Sequence, residues 1–376
     1  MTALSATERN SADLAATPMD RLLCDLMFVQ LRAFGALPPK KIPSATGTLE
    51  GWQAPASMPA FYGRWLAESV RLLHERGHLS RDGAAAVALD PASVWAEWDA
   101  SRQKWLADED LRIQVQLLDL TLRALPDILT GTRRATQILF PRSSVEQVGA
   151  IYEKSPVSAH VNQVLADTLF AYVEQRRSRD PGVRLRLIEI GAGTGGTSGT
   201  LFERLKPFEQ NIGQYCYTDI SKAFLIHGQE KFGSCAPYLS CEHFNVEKPL
   251  AGQTITLGSY DVAIATNVLH ATRNIRESVR NVKAALRRGG MLLINEIVGH
   301  SLFTHLTFGL LEGWWLYEDA ALRIRGTPAI APGTWQRVLE SEGFRSIRFP
   351  AEAAHRWGQQ LIICESDGVV RQRRQS

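Results

Sequence analysis

The segment Glu189-Ile190-Gly191-Ala192-Gly193-Thr194-Gly195-Gly196 constrains this chain more than any other stretch. It stands between a short apolar run, Leu185–Ile190, and an amphipathic stretch that continues to residue 205. A buried strand that turns abruptly into a helix needs residues that take positive φ without a Cβ clash, and glycine is that residue. Glycine also lets a ligand come close to the main chain. Gly191, Gly193 and Gly196 satisfy the spacing GxGxxG. Taken alone that spacing is a weak signal and leaves a nicotinamide dinucleotide open, so the surroundings must decide.

Downstream of the loop, short apolar runs alternate with amphipathic stretches. Strands are expected at 214–218, 238–244, 260–266, 291–298, 344–349 and 360–364, and helices at 222–232 and 275–286. That alternation predicts an α/β fold with a mostly parallel sheet covered on both faces. Upstream the period is helical. Residues 19–34 repeat apolar side chains at helical spacing, 35–60 gather proline and glycine into a loop, and 61–73 resume the helical repeat. Asp90-Pro91 reads as an N-cap with proline at the first helical position. The helix after it carries Trp95, Trp98 and Trp105 along one side, which reads as core packing. Further helices are expected at 111–125, ending near Pro126, and at 159–176. The chain therefore divides into a helical domain, 1–180, and an α/β core, 181–376.

Composition removes several classes of function. With 42 basic and 39 acidic residues the formal charge is +3, which gives no electrostatic reason to bind nucleic acid or an anionic membrane. No segment reaches the roughly 18 apolar residues of a membrane helix. The first 21 residues are polar and lack an apolar run of signal-peptide length. The five cysteines are scattered with no CxxC pair, which predicts reduced thiols in a cytoplasmic protein and no metal site.

Three features around the loop suit S-adenosylmethionine, and the first and third favour it over a nicotinamide cofactor. Glu189, two residues before the first glycine, puts a carboxylate where an ammonium and a sulfonium suit better than a pyrophosphate. Asp219 closes the second strand, where an acid can accept two ribose hydroxyls; dinucleotide sites share this feature. Asn245 and Val246 follow the third strand and offer a polar side chain and backbone amides to an adenine edge.

Four strings occur in one order: EIGAGTGGT at 189–197, YTDIS at 217–221, NVLHAT at 267–272 and FGLLEGWW at 308–315. Together they resemble the C-methyltransferase domains of modular polyketide synthases. The likeness extends upstream through LPDILTG at 125–131, LFP at 139–141 and Ile151-Tyr152, and downstream to ESDG at 365–368. The wording is most similar to domains of synthases whose acyltransferase acts in trans. The resemblance implies a class I methyltransferase core, with a seven-stranded sheet whose last strand is antiparallel, and an N-terminal helical lid. It implies a β-ketoacyl chain on the phosphopantetheine of an acyl carrier protein as substrate, and other synthase domains as partners. It further implies a histidine–glutamate pair, matched here by His270 and Glu296. Where the family often has aspartate after the third strand, this chain has Asn245, which keeps a carbonyl for the adenine amino group.

The chemistry is consistent with those residues. His270 follows the fourth strand and Glu296 lies late in the fifth, so adjacent parallel strands would bring both to the carboxyl edge, where ligands bind. Imidazole can remove the acidic proton between the two carbonyls of a β-ketothioester. A glutamate on the other ring nitrogen would fix the tautomer and stabilise the imidazolium. On sequence alone Glu296→Gln is expected to cost less than loss of the imidazole. Asn267 is a candidate to contact the cofactor, polarise the substrate or cap a turn. Trp314 and Trp315 are candidates to line the acyl channel or to pack in a core, and Tyr152 is a candidate lid residue against the cofactor. His300 and His305 lie close by in sequence and are the histidines most easily mistaken for catalytic ones. The competing readings are an oxygen- or nitrogen-directed methyltransferase acting on a small molecule, a non-catalytic module that binds the cofactor, and a nicotinamide reductase.

Overall fold

A computed structural model describes residues 17–37, 55–80, 83–139 and 156–371. These form two compact units: the described residues up to 139 together with 300–315, and residues 156–299 with 316–371. Residues 300–315, assigned by sequence to the core, thus group with the helical unit.

The helical unit contains α1 (Pro18–Ala33), α2 (Gly63–Glu75), α3 (Pro91–Ala107), α4 (Glu109–Leu129) and α5 (Ala135–Leu139), plus a short turn of helix at Leu302–Leu306. Side chains cap the N-termini of α1, α3 and α4. Thr17 and Asp20 form a reciprocal capping box at α1, and Asp90 accepts from the Ser93 amide at 2.9 Å with Pro91 in the first turn of α3. Of the three tryptophans on α3, only Trp98 is fully buried; Trp95 lies half-buried under Arg123. The helix expected to end near Pro126 continues to Leu129. Proline removes one amide donor there, but Ile128 and Leu129 are buried beyond it and hold the last turn. None of the helices among the described residues is long and apolar enough to cross a membrane.

The second unit is built on a seven-stranded sheet. Its strands are β1 (Leu185–Ile190), β2 (Ile212–Asp219), β3 (Leu239–His243), β4 (Tyr260–Thr266), β5 (Leu286–Ile297), β6 (Phe344–Arg348) and β7 (Gln359–Ser366), in the order β3-β2-β1-β4-β5-β7-β6. The first five in that order run parallel, and β7 runs antiparallel to both β5 and β6. The expected strands are all present, the fifth beginning earlier than expected and the others shifted at their ends by at most two residues.

Side-chain alternation distributes the core over both faces. Leu185 and Leu187 of β1, Val262 and Ile264 of β4, and Leu293 of β5 pack with α6 (Pro156–Arg179) and α7 (Gly196–Leu205). Ile188 and Ile190, Ala263 and Ala265, and Leu292 and Ile294 face the other way. They meet Ile275, Val279 and Val282 of α9 (Ile275–Ala285) and Trp335 and Val338 of α10 (Pro332–Ser341). Between β2 and β3 runs α8 (Lys222–Phe232). Each fully buried Leu or Ile contributes about 1.5–3 kcal/mol, so strands apolar on both faces are the expected signature of this double layer.

Candidate active site

The glycine loop connects β1 to α7 at the carboxyl edge of the sheet. Gly191, Gly193 and Gly195 have φ of +60°, +57° and +75°. A Cβ on Gly191 would sit 2.3 Å from Val268 Cγ2, and one on Gly195 would sit 2.4 Å from the Phe232 ring. At Gly193 the nearest atom would be the Gly191 carbonyl oxygen at 3.9 Å, an ordinary contact with no clash. Strand β2 secures the loop from the side. The Ala192 amide donates to the Thr218 carbonyl at 2.9 Å, Tyr217 OH donates to the Gly193 carbonyl at 2.6 Å, and the Gly193 amide donates to Asp219 Oδ2 at 3.0 Å.

Asp219 therefore sits against the loop. Its other oxygen accepts from the Ser221 amide at 2.8 Å. Burial raises its pKa, and the amides of Ser221 and Gly193 oppose that rise. Each carboxylate oxygen has a second lone pair, so capacity for further donors remains. The next residue, Ile220, is 66% exposed, an apolar side chain left in solvent beside an acid.

Glu189 stands on β1, just before the loop. Its carboxylate is enclosed beneath the loop, accepting from Ser198 Oγ at 2.5 Å and Tyr215 OH at 2.7 Å. Burial pushes its pKa up to about 7 against those two hydrogen bonds. It links the start of α7 to β2. At the end of β3, Asn245 Oδ1 accepts from the Glu247 amide at 2.9 Å, while Gln253 brackets the Asn245 backbone, accepting from its amide at 2.9 Å and donating to its carbonyl at 3.1 Å. Val246 is buried, and its carbonyl accepts from Asn281 at 2.8 Å.

Strands β4 and β5 are neighbours, and Thr266 pairs with Asn295 in their register. Past β4 the chain turns at Asn267, whose φ of +51° is a left-handed value that asparagine tolerates better than most residues. Its amide donates to the Asn295 carbonyl at 2.7 Å. Its own Oδ1, with Thr266 Oγ1 and Asn295 Oδ1, is buried with no partner among the described residues. A single 3₁₀ turn, Leu269–Ala271, follows and carries His270.

His270 and Glu296 meet. Glu296 is fully buried, and one of its oxygens accepts from the amides of Val268, Leu269 and His270 at 3.1, 2.7 and 3.2 Å. The other oxygen pairs with His270 Nδ1. Amides only donate, so the oxygen facing them must be an acceptor. The carboxylate then accepts a hydrogen bond from Nδ1–H, and in that tautomer Nε2 is the ring's acceptor nitrogen.

The remaining sequence candidates divide by position. Trp314 and Trp315 are both buried within the helical unit, where Trp315 Nε1 donates to the Gly309 carbonyl at 2.7 Å. His300 and His305 belong to the same unit. His305 is enclosed, stacked on Trp65 at 5.3 Å between ring centroids and 2.8 Å from Ser69 Oγ, and burial lowers its pKa well below the usual histidine range. Tyr152 lies outside the described residues, as do Pro141 and Ile151 of the extended likeness.

Sequence reasoning passed over Ile220, Gln253 and Arg323, the last of which donates to the His270 carbonyl at 2.9 Å. An apolar residue directly after a strand-closing acid was a usable signal for Ile220. Gln253 and Arg323 come from loops with no local pattern to mark them.

The sequence family described as "Methyltransferase domain" matches residues 188–292. The polyketide synthase PksM of Bacillus subtilis is 51% identical over 315 residues, which is 83% of this chain and 7% of that protein. The polyketide synthase PksR of the same organism is 46% identical over 359 residues, 94% of this chain and 14% of that protein. The chain thus spans a small part of the curated relatives it matches. Among solved structures, the DszA carbon methyltransferase superposes with a TM-score of 0.83 at 29% identity, covering 94% of this chain and 90% of that one.

Proposed function

Because the chain belongs to the C-methyltransferase domains of polyketide synthases and is an S-adenosylmethionine-dependent methyltransferase, we propose that it methylates the α-carbon of a β-ketoacyl thioester. In this reading the thioester rides on the phosphopantetheine of an acyl carrier protein, other synthase domains are its partners, and the synthase is of the type whose acyltransferase acts in trans. Five free thiols accord with a cytoplasmic setting.

The residues present fit the cofactor. With no side chain at Gly193 and no clash around that position, a ligand can approach the main chain there. Asp219 retains acceptor capacity for ribose hydroxyls, and Ile220 offers a flat apolar contact for a base. Asn245 lies at the neighbouring strand end, where the backbone near Val246 completes an adenine edge. Asn267 Oδ1, buried without a protein partner among the described residues, suits a ligand donor such as an ammonium. Glu189, enclosed with its two hydroxyl partners, acts through the loop it supports. When bound, the cofactor supplies an electrophilic methyl on sulfur.

The observation that carries the reading is the His270–Glu296 pair. With Nδ1–H directed at Glu296, His270 Nε2 is the acceptor for the α-proton of the β-ketothioester. The imidazolium that forms is stabilised by the buried carboxylate, and the substrate becomes an enolate nucleophilic at carbon. A free amine is already nucleophilic and has less need of such a base–orienter pair, which favours carbon or oxygen over nitrogen; the likeness to a carbon methyltransferase supports carbon over oxygen. The test is product analysis with a β-ketoacyl pantetheine thioester and methyl-labelled cofactor. Label on the α-carbon supports the proposal. Label on oxygen, or no product with any carrier-bound β-ketoacyl chain, overturns it.

A further inference from the structure

The turn that carries His270 is too short to hold itself. A single 3₁₀ turn closes few hydrogen bonds and has poor geometry, and nucleating a helical turn is unfavourable without outside contacts. The amides of Val268, Leu269 and His270 go to Glu296. The carbonyls of His270 and Thr272 go to a different side chain, while that of Leu269 accepts from Thr272. Arg323 Nη1 donates to the His270 carbonyl at 2.9 Å and to the Pro328 carbonyl at 2.9 Å; Nη2 donates to the Thr272 carbonyl at 3.0 Å.

The rest of the guanidinium is fixed by one carboxylate. Arg323 Nε donates to Asp319 Oδ1 at 2.6 Å and Nη2 to Asp319 Oδ2 at 3.1 Å. Asp319 Oδ2 also accepts from the Ile275 amide at 2.7 Å, at the start of α9. All five N–H donors of the arginine therefore have acceptors, and its side chain is only 1% exposed. An arginine at the surface makes such bonds opportunistically. One that is buried with every donor committed has no other arrangement available.

We propose that Arg323, held by Asp319, is a positioning residue for His270, gripping the turn by the carbonyls of His270 and Thr272 while Glu296 grips it by the amides of Val268, Leu269 and His270. The peptide dipoles of residues 268–272 then run from a buried anion to a buried cation, which is the orientation electrostatics favours. The ring can neither rotate away from Glu296 nor carry Nε2 off the sheet edge without breaking bonds to one of the two. Lysine cannot substitute, because one ammonium cannot reach three carbonyls and chelate a carboxylate with planar geometry.

This inference rests on His270 being the base, so the test reads geometry and activity separately. In protein labelled with ¹⁵N-histidine, the Nδ1–H shared with Glu296 should give a far-downfield proton resonance, assigned by its loss in His270→Gln. In Arg323→Lys that resonance should broaden or move upfield, turnover should fall about tenfold to a hundredfold, and the cofactor dissociation constant should stay within about twofold. Asp319→Asn should give the same pattern more weakly and decides the matter if Arg323→Lys does not fold. Arg337→Lys, an exposed helix arginine, is the control expected to change nothing. An unmoved resonance with turnover within about twofold of the parent, in a folded Arg323→Lys or Asp319→Asn, overturns the proposal. A parent protein that methylates no carbon, but whose resonance is still lost in Arg323→Lys, keeps the clamp and removes only the base assignment.

Discussion

Glu296 holds His270 twice. One carboxylate oxygen accepts the residue's own backbone amide together with those of Val268 and Leu269, and the other oxygen meets the ring at Nδ1. The position of the imidazole and its tautomer are thus set by the same buried group. Strand pairing supplies the distance: β4 and β5 are adjacent and parallel, so a residue just past one and a residue late in the other reach the same edge.

Removing the imidazole removes the base and little else. Positioned general bases contribute about 10²–10⁴-fold, so His270→Ala should lose that much in turnover. Cofactor affinity by calorimetry should be close to the parent's, because the glycine loop and Asp219 are untouched. A variant that methylates near the parental rate means another group takes the proton.

Glu296→Gln should be nearly as severe, a sharper expectation than the sequence alone gives. The glutamine oxygen must face the three amides, which only donate. Its NH₂ then faces Nδ1 and forces the ring to carry its proton on Nε2, the nitrogen the reaction needs free. The wrong tautomer should cost on the order of 10²–10⁴-fold in turnover, with folding largely kept. Turnover within about tenfold of the parent would show that the ring finds its tautomer without the carboxylate.

Gly191 and Gly193 share a left-handed backbone but not their surroundings. Gly193→Ala should cost only the backbone strain, about 1–2 kcal/mol. Gly191→Ala adds a clash with Val268 and should cost more. Adding Val268→Ala should recover part of the Gly191→Ala loss, a coupling visible in a double-mutant cycle of thermal melts. Equal losses at the two glycines, or strictly additive ones, would contradict the packing described.

Glu189 predicts a pH effect on stability. Burial moves its pKa from an ordinary 4.5 to about 7. The folded state therefore holds that proton more tightly than the unfolded chain, so this contribution is complete below about pH 4.5 and is lost as pH rises through about 7. Glu189→Gln cannot ionise and avoids that loss. Its stability relative to the parent should rise between roughly pH 5 and pH 8, by about 1–3 kcal/mol. Urea melts at the two pH values check this, and a flat difference would mean that the enclosed carboxylate ionises freely.

The sheet was legible because its strands are apolar on both faces and separated by amphipathic helices; a strand such as Tyr260–Thr266 has no other stable setting. The glycine loop was legible because left-handed backbone leaves few alternatives to glycine. The continuation of α4 through Pro126 was not, since burial of Ile128 and Leu129 decides it. The enclosure of Glu189 was not legible for a related reason: the hydroxyls around it, Ser198 and Tyr215, come from a helix and a neighbouring strand, and local sequence carries no sign of them. Arg323 was invisible among 42 basic residues, because its importance lies in where five hydrogen bonds converge.

The most direct test of the account is solvent exchange at the substrate's α-carbon. The protein is mixed with a β-ketoacyl pantetheine thioester in D₂O without the methyl donor, and deuterium uptake is followed by mass spectrometry. The parent protein should accelerate uptake above the buffer rate, and His270→Ala should return it to that rate. Uptake equally fast with and without the imidazole would contradict the assignment of His270 as the group that removes the proton.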